Sequence, residues 1–389
     1  MSRARSRASF VGLGLLLATA IALLIAGDLD RDVAAKPAAE QHAVSPRTPA
    51  PRTIPSRSAR RSPNVYAAIT KAAALSSAVR GIPTRVYVPD NASNDVRVID
   101  PRTFRVVRTF HVGMEPQHIT PAWNMKHLYV GNVYSNSLTV IDPRTARPVR
   151  TIQIPDPYNL YFTPDGRHAI DVAEGQDTLY FYDPTTWRLQ GYIRITFRGP
   201  DHLDFSRDGS YFWISTEYAG AVVKVRVAHP RVLGSIQLGG STVDVKLGPS
   251  GRAFYVANQD RAGVSVIDPV RMRQVKFIPT GAGAHGFAIA RDAAHLYVSN
   301  RLAGTISVID TRTKKVVRTW NVGGSPDMLQ VSADGRQLWV SNRFDASVSV
   351  IDTHTGRVLH VIPVGIRPHG LTLFPQPGRF SLGHNGVYR

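Results

Sequence analysis

"LYVSNRLAGTISVIDTRTKKVVRTWNVGGSPDML" (Leu296–Leu329) and "LWVSNRFDASVSVIDTHTGRVLHVIPVGIRPHGL" (Leu338–Leu371) are two versions of one unit, offset by 42 residues. The same unit can be followed through most of the chain. A motif ending in "VID" places its aspartate at Asp100, Asp142, Asp268, Asp310 and Asp352; "FYD" supplies Asp183, and a degenerate copy ends at Val227. An aromatic-Val-x-Asn motif precedes it at Tyr87, Tyr129, Tyr255, Tyr297 and Trp339, with weaker versions at Ile170 and Phe212. That makes seven copies, and a fixed period near forty residues signals a repeat architecture.

Inside a copy the pattern has period two. "SVSVID" and "KVVRTW" alternate apolar with small or charged residues and are bounded by turn residues, which predicts strands. Each copy holds four: an inner strand such as "HGLTLF", a tight turn such as "ADGR" (Ala333–Arg336), the "YVSN" strand, the "SVSVID" strand, a turn such as "DTRT", and an outer strand. The recurring aspartate falls where its carboxylate accepts backbone N–H groups of the turn, so its recurrence needs no catalytic explanation. Four-stranded units repeated around an axis form a β-propeller. The first copy starts at Arg85 without an inner strand, and Pro368–Phe374 is an inner strand with no complete copy after it. The C-terminal strand is therefore expected to close the first blade. "RFSLGHN" from Arg379 echoes the second strand and is expected either to compete for that place or to pack outside the ring.

These motifs and their period resemble the YVTN-repeat (YncE-like) seven-bladed β-propeller proteins over residues 84–375. The resemblance implies an all-β, seven-bladed propeller with four-stranded blades. It says little of activity, because propellers of this appearance include extracytoplasmic binding and surface proteins, and relatives in architecture include metal-dependent lactonases and lyases and the cofactor domain of haem d1 enzymes.

The chain of 389 residues has a formal net charge of +19 and no cysteine, which excludes disulfides, thiol catalysis and cysteine–zinc sites. Residues 1–83 carry 12 Lys/Arg against 4 Asp/Glu and the remainder 35 against 24, so much of the basic excess lies before the repeats. Basic residues within the repeats are scattered over turns and outer strands without interleaved aromatics, a pattern that argues against nucleic acid. At the N-terminus, Arg3, Arg5 and Arg7 precede an uncharged run from Phe10 to Gly27, about 27 Å long as a helix. Residues 1–27 are therefore expected to engage the membrane as an uncleaved anchor or a cleaved signal, leaving the rest outside the cytoplasm. Residues 28–63, rich in Pro, Arg, Ser and Ala, are expected to be a linker, 64–83 one amphipathic helix, and 376–389 a tail.

A site is expected where one copy departs from the others on the face shared by the loops leading into the inner strands and the loops between second and third strands. The former carry Gln117-His118, Tyr158-Asn159, Asp201-His202, Val243-Asp244, His285-Gly286, Asp327-Met328 and His369-Gly370. The Asn ending the second strand is replaced by Glu174 and Glu217 in two adjacent copies, and Arg301 and Arg343 directly follow theirs. His118, Asp201, His202, His285, Asp327, His369, Arg301 and Arg343 are candidate ligand-binding residues at the channel mouth. Glu174, Glu217 and His202 are candidate ligands of a divalent metal ion. Strict alternation would direct His118 and His202 to the side opposite His285 and His369. No catalytic motif is present. The expected function is an extracytoplasmic binding module, probing an envelope protein, a polysaccharide or a small ligand through a monomeric domain. The alternative is a metal-dependent lactonase or lyase with the carboxylates, Asp201 and His202 at its centre and His285 or His369 as general base.

Overall fold

The alternation along each copy becomes four antiparallel strands, and the computed structural model arranges seven such sheets in a ring; it describes residues 64–384. Blade 2 shows the plan: an inner strand Pro116–Pro121, then Leu128–Asn132, Ser137–Asp142 and an outer strand Arg147–Gln153. Inner strands of blades 3 to 7 are Pro157–Phe162, Pro200–Phe205, Thr242–Leu247, Ala284–Ile289 and Pro326–Val331. Blade 1 is closed by the far end of the chain: Thr372–Phe374 is the inner strand beside Arg85–Asp90, with Val86 opposite Leu373.

Burial follows position within a blade. The third strand of blade 7, Ser347–Asp352, is buried along almost its whole length, whereas outer strands such as Arg105–His111 alternate between exposed and half-buried. Val350 packs in one apolar cluster with Trp339 and Val348, while Ile351 packs in another with Leu338 and Trp320. Both faces of a blade are thus covered by the neighbouring blades, and the period-two pattern does not separate a core face from a solvent face there. The recurring aspartates do what turn chemistry asks. Asp352 Oδ1 accepts from the backbone N of His354 and Thr355 at 3.0 and 2.7 Å, and Asp183 Oδ1 accepts from Thr185 and Thr186 at 2.9 and 2.7 Å. These bonds hold the carboxyls of Asp352 and Asp183 below the usual range.

Two segments differ from expectation. Residues 64–83 are not one helix: two one-turn 3-10 helices, Ala67–Ile69 and Ser77–Val79, are all the helix they contain. The segment instead follows the turn face of the ring. Val65 N donates to Pro249 O at 2.9 Å and the Tyr66 hydroxyl to Leu247 O at 2.7 Å, while Tyr66, Ile69, Val79 and Ile82 are buried. Contacts with successive turns outweigh the local helical preference. The C-terminal stretch does not compete for the second-strand position, which Arg85–Asp90 fills. It crosses the same turn face. Gln376 receives a hydrogen bond from Arg291, Gly378 N donates to Ala74 O at 3.0 Å, and Phe380 stacks on Trp123. Phe162 N then donates to Leu382 O at 3.0 Å, and the chain carries His384 to full burial. The expected N-terminal membrane segment and linker lie outside the described residues, and no described helix is long and apolar enough to cross a membrane.

Candidate functional site

The leading ends of the inner strands do not follow simple alternation. In blades 2 to 7 the pairing register slips near the strand start, as between Pro116 and Ile119 or between Ala284 and Phe287. Such a bulge sets two residues against one and breaks the two-residue repeat of side-chain direction. The expected separation of His118 and His202 from His285 and His369 is therefore overturned. The ring centroids of His118 and His369 lie 4.5 Å apart, those of His118 and His202 5.0 Å, and those of His285 and His369 5.8 Å. Gly370 makes this possible, because a Cβ there would fall 2.0 Å from His118 Nδ1.

Backbone pairing also revises the mouth. Asn132, Asn258, Asn300 and Asn342 face the first residue of their inner strands, and the residues in that position in blades 3 and 4 are Ala173 and Thr216. In blades 2, 6 and 7 the Asn braces its own hairpin: Asn300 Nδ2 donates to Thr305 Oγ1 and Ser307 Oγ at 2.9 and 3.0 Å, and Asn342 repeats this with Ser347 and Ser349. Glu174 and Glu217 are not replacements for it but occupy the next position. Glu217, Gln259, Arg301 and Arg343 each donate their backbone N–H to a leading loop, at Gly199, Ser241, Gly283 and Ser325. The ring at the mouth is thus Glu174 and Glu217 in blades 3 and 4, Gln259 in blade 5, and Arg301 and Arg343 in blades 6 and 7.

These side chains form a chain of polar contacts. Glu217 Oε1 accepts from Gln259 Nε2 at 2.9 Å, and Gln259 Oε1 accepts from Arg301 Nη1 at 3.2 Å. Arg301 Nε donates to Asp327 Oδ1 at 3.0 Å, His285 Nδ1 lies 3.0 Å from the same oxygen, and His369 Nδ1 lies 2.6 Å from Oδ2. Asp327 is fully buried, which disfavours its charge, yet Arg301 and then the two histidines hold its carboxyl well below the usual range. His285 and His369 therefore serve Asp327 rather than the mouth carboxylates. Burial pushes Glu174 well above the usual carboxylate range, with Glu217 and Asp201 adding to the effect. Glu217 is pushed up to about 7 by burial and by Asp201, against the pull of Arg301. Two atoms in this ring are buried without a hydrogen-bond partner, Glu174 Oε1 and Arg343 Nη1.

The raised Glu217 value carries a sign. An acid that holds its proton more tightly when folded contributes stability that is present below the unfolded pKa and lost as pH rises through the folded one. Wild-type protein is expected to lose more melting temperature between about pH 4.5 and about 7 than Glu217→Gln, compared by calorimetry across that window. Identical slopes would show that Glu217 titrates normally.

Among the described residues, one group brings three potential metal-ligand atoms within 4.8 Å of one another: His118, His202 and His384. Of the residues expected to share an ion, only His202 belongs to it; Glu174 and Glu217 do not. His384 was missed because nothing in "SLGHN" marks a channel residue, and its place depends on the path of the tail across the turn face.

Residues 59–378 match the family of YNCE-like β-propellers. The chain belongs to that family. No curated protein matched the sequence. Among solved structures, this YNCE-like propeller is similar to hydrazine synthase of Kuenenia stuttgartiensis (19% identity, 69% of this chain and 91% of that one, TM-score 0.59). It is also similar to a functionally unknown protein of Desulfotomaculum acetoxidans DSM 771 (14%, 74% and 98%, 0.65). A putative 6-phosphogluconolactonase of Bacteroides uniformis ATCC 8492 is a third (16%, 75% and 99%, 0.62). At such identities the likeness establishes the fold alone.

Proposed function

We propose that this YNCE-like propeller is an extracytoplasmic binding module, delivered or anchored by residues 1–27, that takes a mixed-charge small ligand at the channel mouth. The observation that supports this is the pair of buried, unpartnered atoms of opposite character, Glu174 Oε1 and Arg343 Nη1, in blades on opposite sides of the mouth. Leaving such groups unmade is costly, and a ligand bearing an anionic group for Arg343 and a cationic or donor group for Glu174 satisfies both. Glu217, Gln259, Arg301 and Asp327 are already bound to one another and present a preorganised floor. A cationic group beside Glu174 also favours its charged form, against the burial that raises its pKa.

The test is a thermal-shift screen of amino acids and sugar acids on the full chain, followed by calorimetric titration of the compounds that raise the melting temperature. Arg343→Ala and Glu174→Gln are each expected to weaken binding by about 10-fold or more, the scale of a lost charge-assisted hydrogen bond. Binding that survives both changes places the ligand elsewhere and overturns the reading.

A further inference from the structure

Three imidazoles meet inside the channel with almost nothing to bind. His118, His202 and His384 are 1%, 0% and 0% exposed. Both ring nitrogens of each are buried without a hydrogen-bond partner in the protein. The one close polar contact is His202 Nδ1 to Asp201 Oδ1 at 2.6 Å, an ion-pair approach whose angle falls outside that of a hydrogen bond. The rings pack closely, with centroids 3.9 Å apart for His118 and His384 and 5.2 Å for His202 and His384. Orphaned buried nitrogens on this scale call for a partner, because each costs free energy when left dry.

We propose that His118, His202 and His384 form a three-imidazole site for one divalent transition-metal ion of the zinc class, completed by the C-terminal tail. The donor set is all nitrogen, which suits zinc, copper or nickel and not magnesium or calcium. Ligand atoms already within 4.8 Å need only small ring rotations to reach the roughly 3.4 Å separation that bonds of about 2.1 Å imply in a tetrahedron. Asp201 Oδ1 lies 2.6 Å from His202 Nδ1, so a rotation of the ring that closes this hydrogen bond leaves Nε2 for the ion and would fix the tautomer. His285 and His369 are engaged with Asp327 and are not ligands. With three protein ligands the ion keeps a position for water or another small donor.

The test of this site does not require the mouth ligand. Full-length protein in detergent, stripped with chelator, is dialysed against zinc sulfate and its metal content measured. One zinc per chain is expected. His118→Ala, His202→Ala, His384→Ala and a chain truncated after Gly383 are each expected to lose at least about 100-fold in zinc affinity. Exposed His229→Ala should retain it. Cobalt substituted for zinc should give visible d–d absorption that these variants lose. Zinc should raise the melting temperature of the wild type and not of the variants, which also shows whether each variant remains folded. Wild-type protein that takes up no stoichiometric zinc, its histidines merely hydrating a wet channel, overturns the proposal. Unchanged zinc affinity in folded His384→Ala overturns it as well.

Discussion

Removing residues 366–389 is expected to abolish cooperative unfolding of the propeller, with the shortened chain associating or collapsing rather than melting as a monomer. The deleted strand is three residues long, but its connections run both ways around the ring. It pairs with Arg85–Tyr87, Thr372 Oγ1 donates to Ile119 O in blade 2 at 2.5 Å, and Leu373 N donates to Gln330 Oε1 in blade 7 at 2.8 Å. Leu371, Leu373 and Phe374 are buried. Without them blade 1 has a bare inner edge, and blades 2 and 7 lose an apolar wall. Thermal melts followed by circular dichroism, with size-exclusion chromatography, measure the effect. An unchanged melting temperature in a monomeric deletion variant would contradict the closure.

Val350→Asp and Ile351→Asp are each expected to cost about 3–5 kcal/mol, the scale of an unpaired charge forced into an apolar contact. Simple alternation would spare one of the two. The structure spares neither: both side chains are fully buried, Val350 against the cluster that includes Val86 and Ile99 of blade 1, Ile351 against the one that includes Tyr297 and Ile306 of blade 6. Denaturant titrations of the two variants should agree within a factor of two. A near-neutral result at either position would mean that one face of blade 7 is open.

The ring was legible because its signal is redundant. Seven copies of a strand pattern, each punctuated by a turn aspartate, leave few alternatives, and the missing first inner strand points to how the ring closes. What lay beyond reach depends on contacts between distant segments. The bulges that redirect His118, His202 and His285 towards His369 change direction by a single residue, and no side chain announces them. A separate one-residue offset, at the ends of the second strands, sets Glu174 and Glu217 beyond the hairpin-bracing asparagines, because Ala173 and Thr216 hold that position. Residues 64–83 carry helix formers, and only the turns they lie against explain why they form no helix. His384 was invisible for the same reason.

The pairing of Val86 with Leu373 also governs when this protein becomes itself. Blades 2 to 7 consist of hairpins between strands adjacent in sequence, and such local contacts form early as a chain emerges. Blade 1 cannot finish until the last strand has been made, so its inner edge waits, exposed, through nearly the whole of synthesis. The tail follows that strand and carries His384. The three-histidine cluster is therefore the last part of the channel to assemble. An incompletely delivered or clipped chain would lack it, and an ion held there would act as a seal on the finished ring, slowing its reopening.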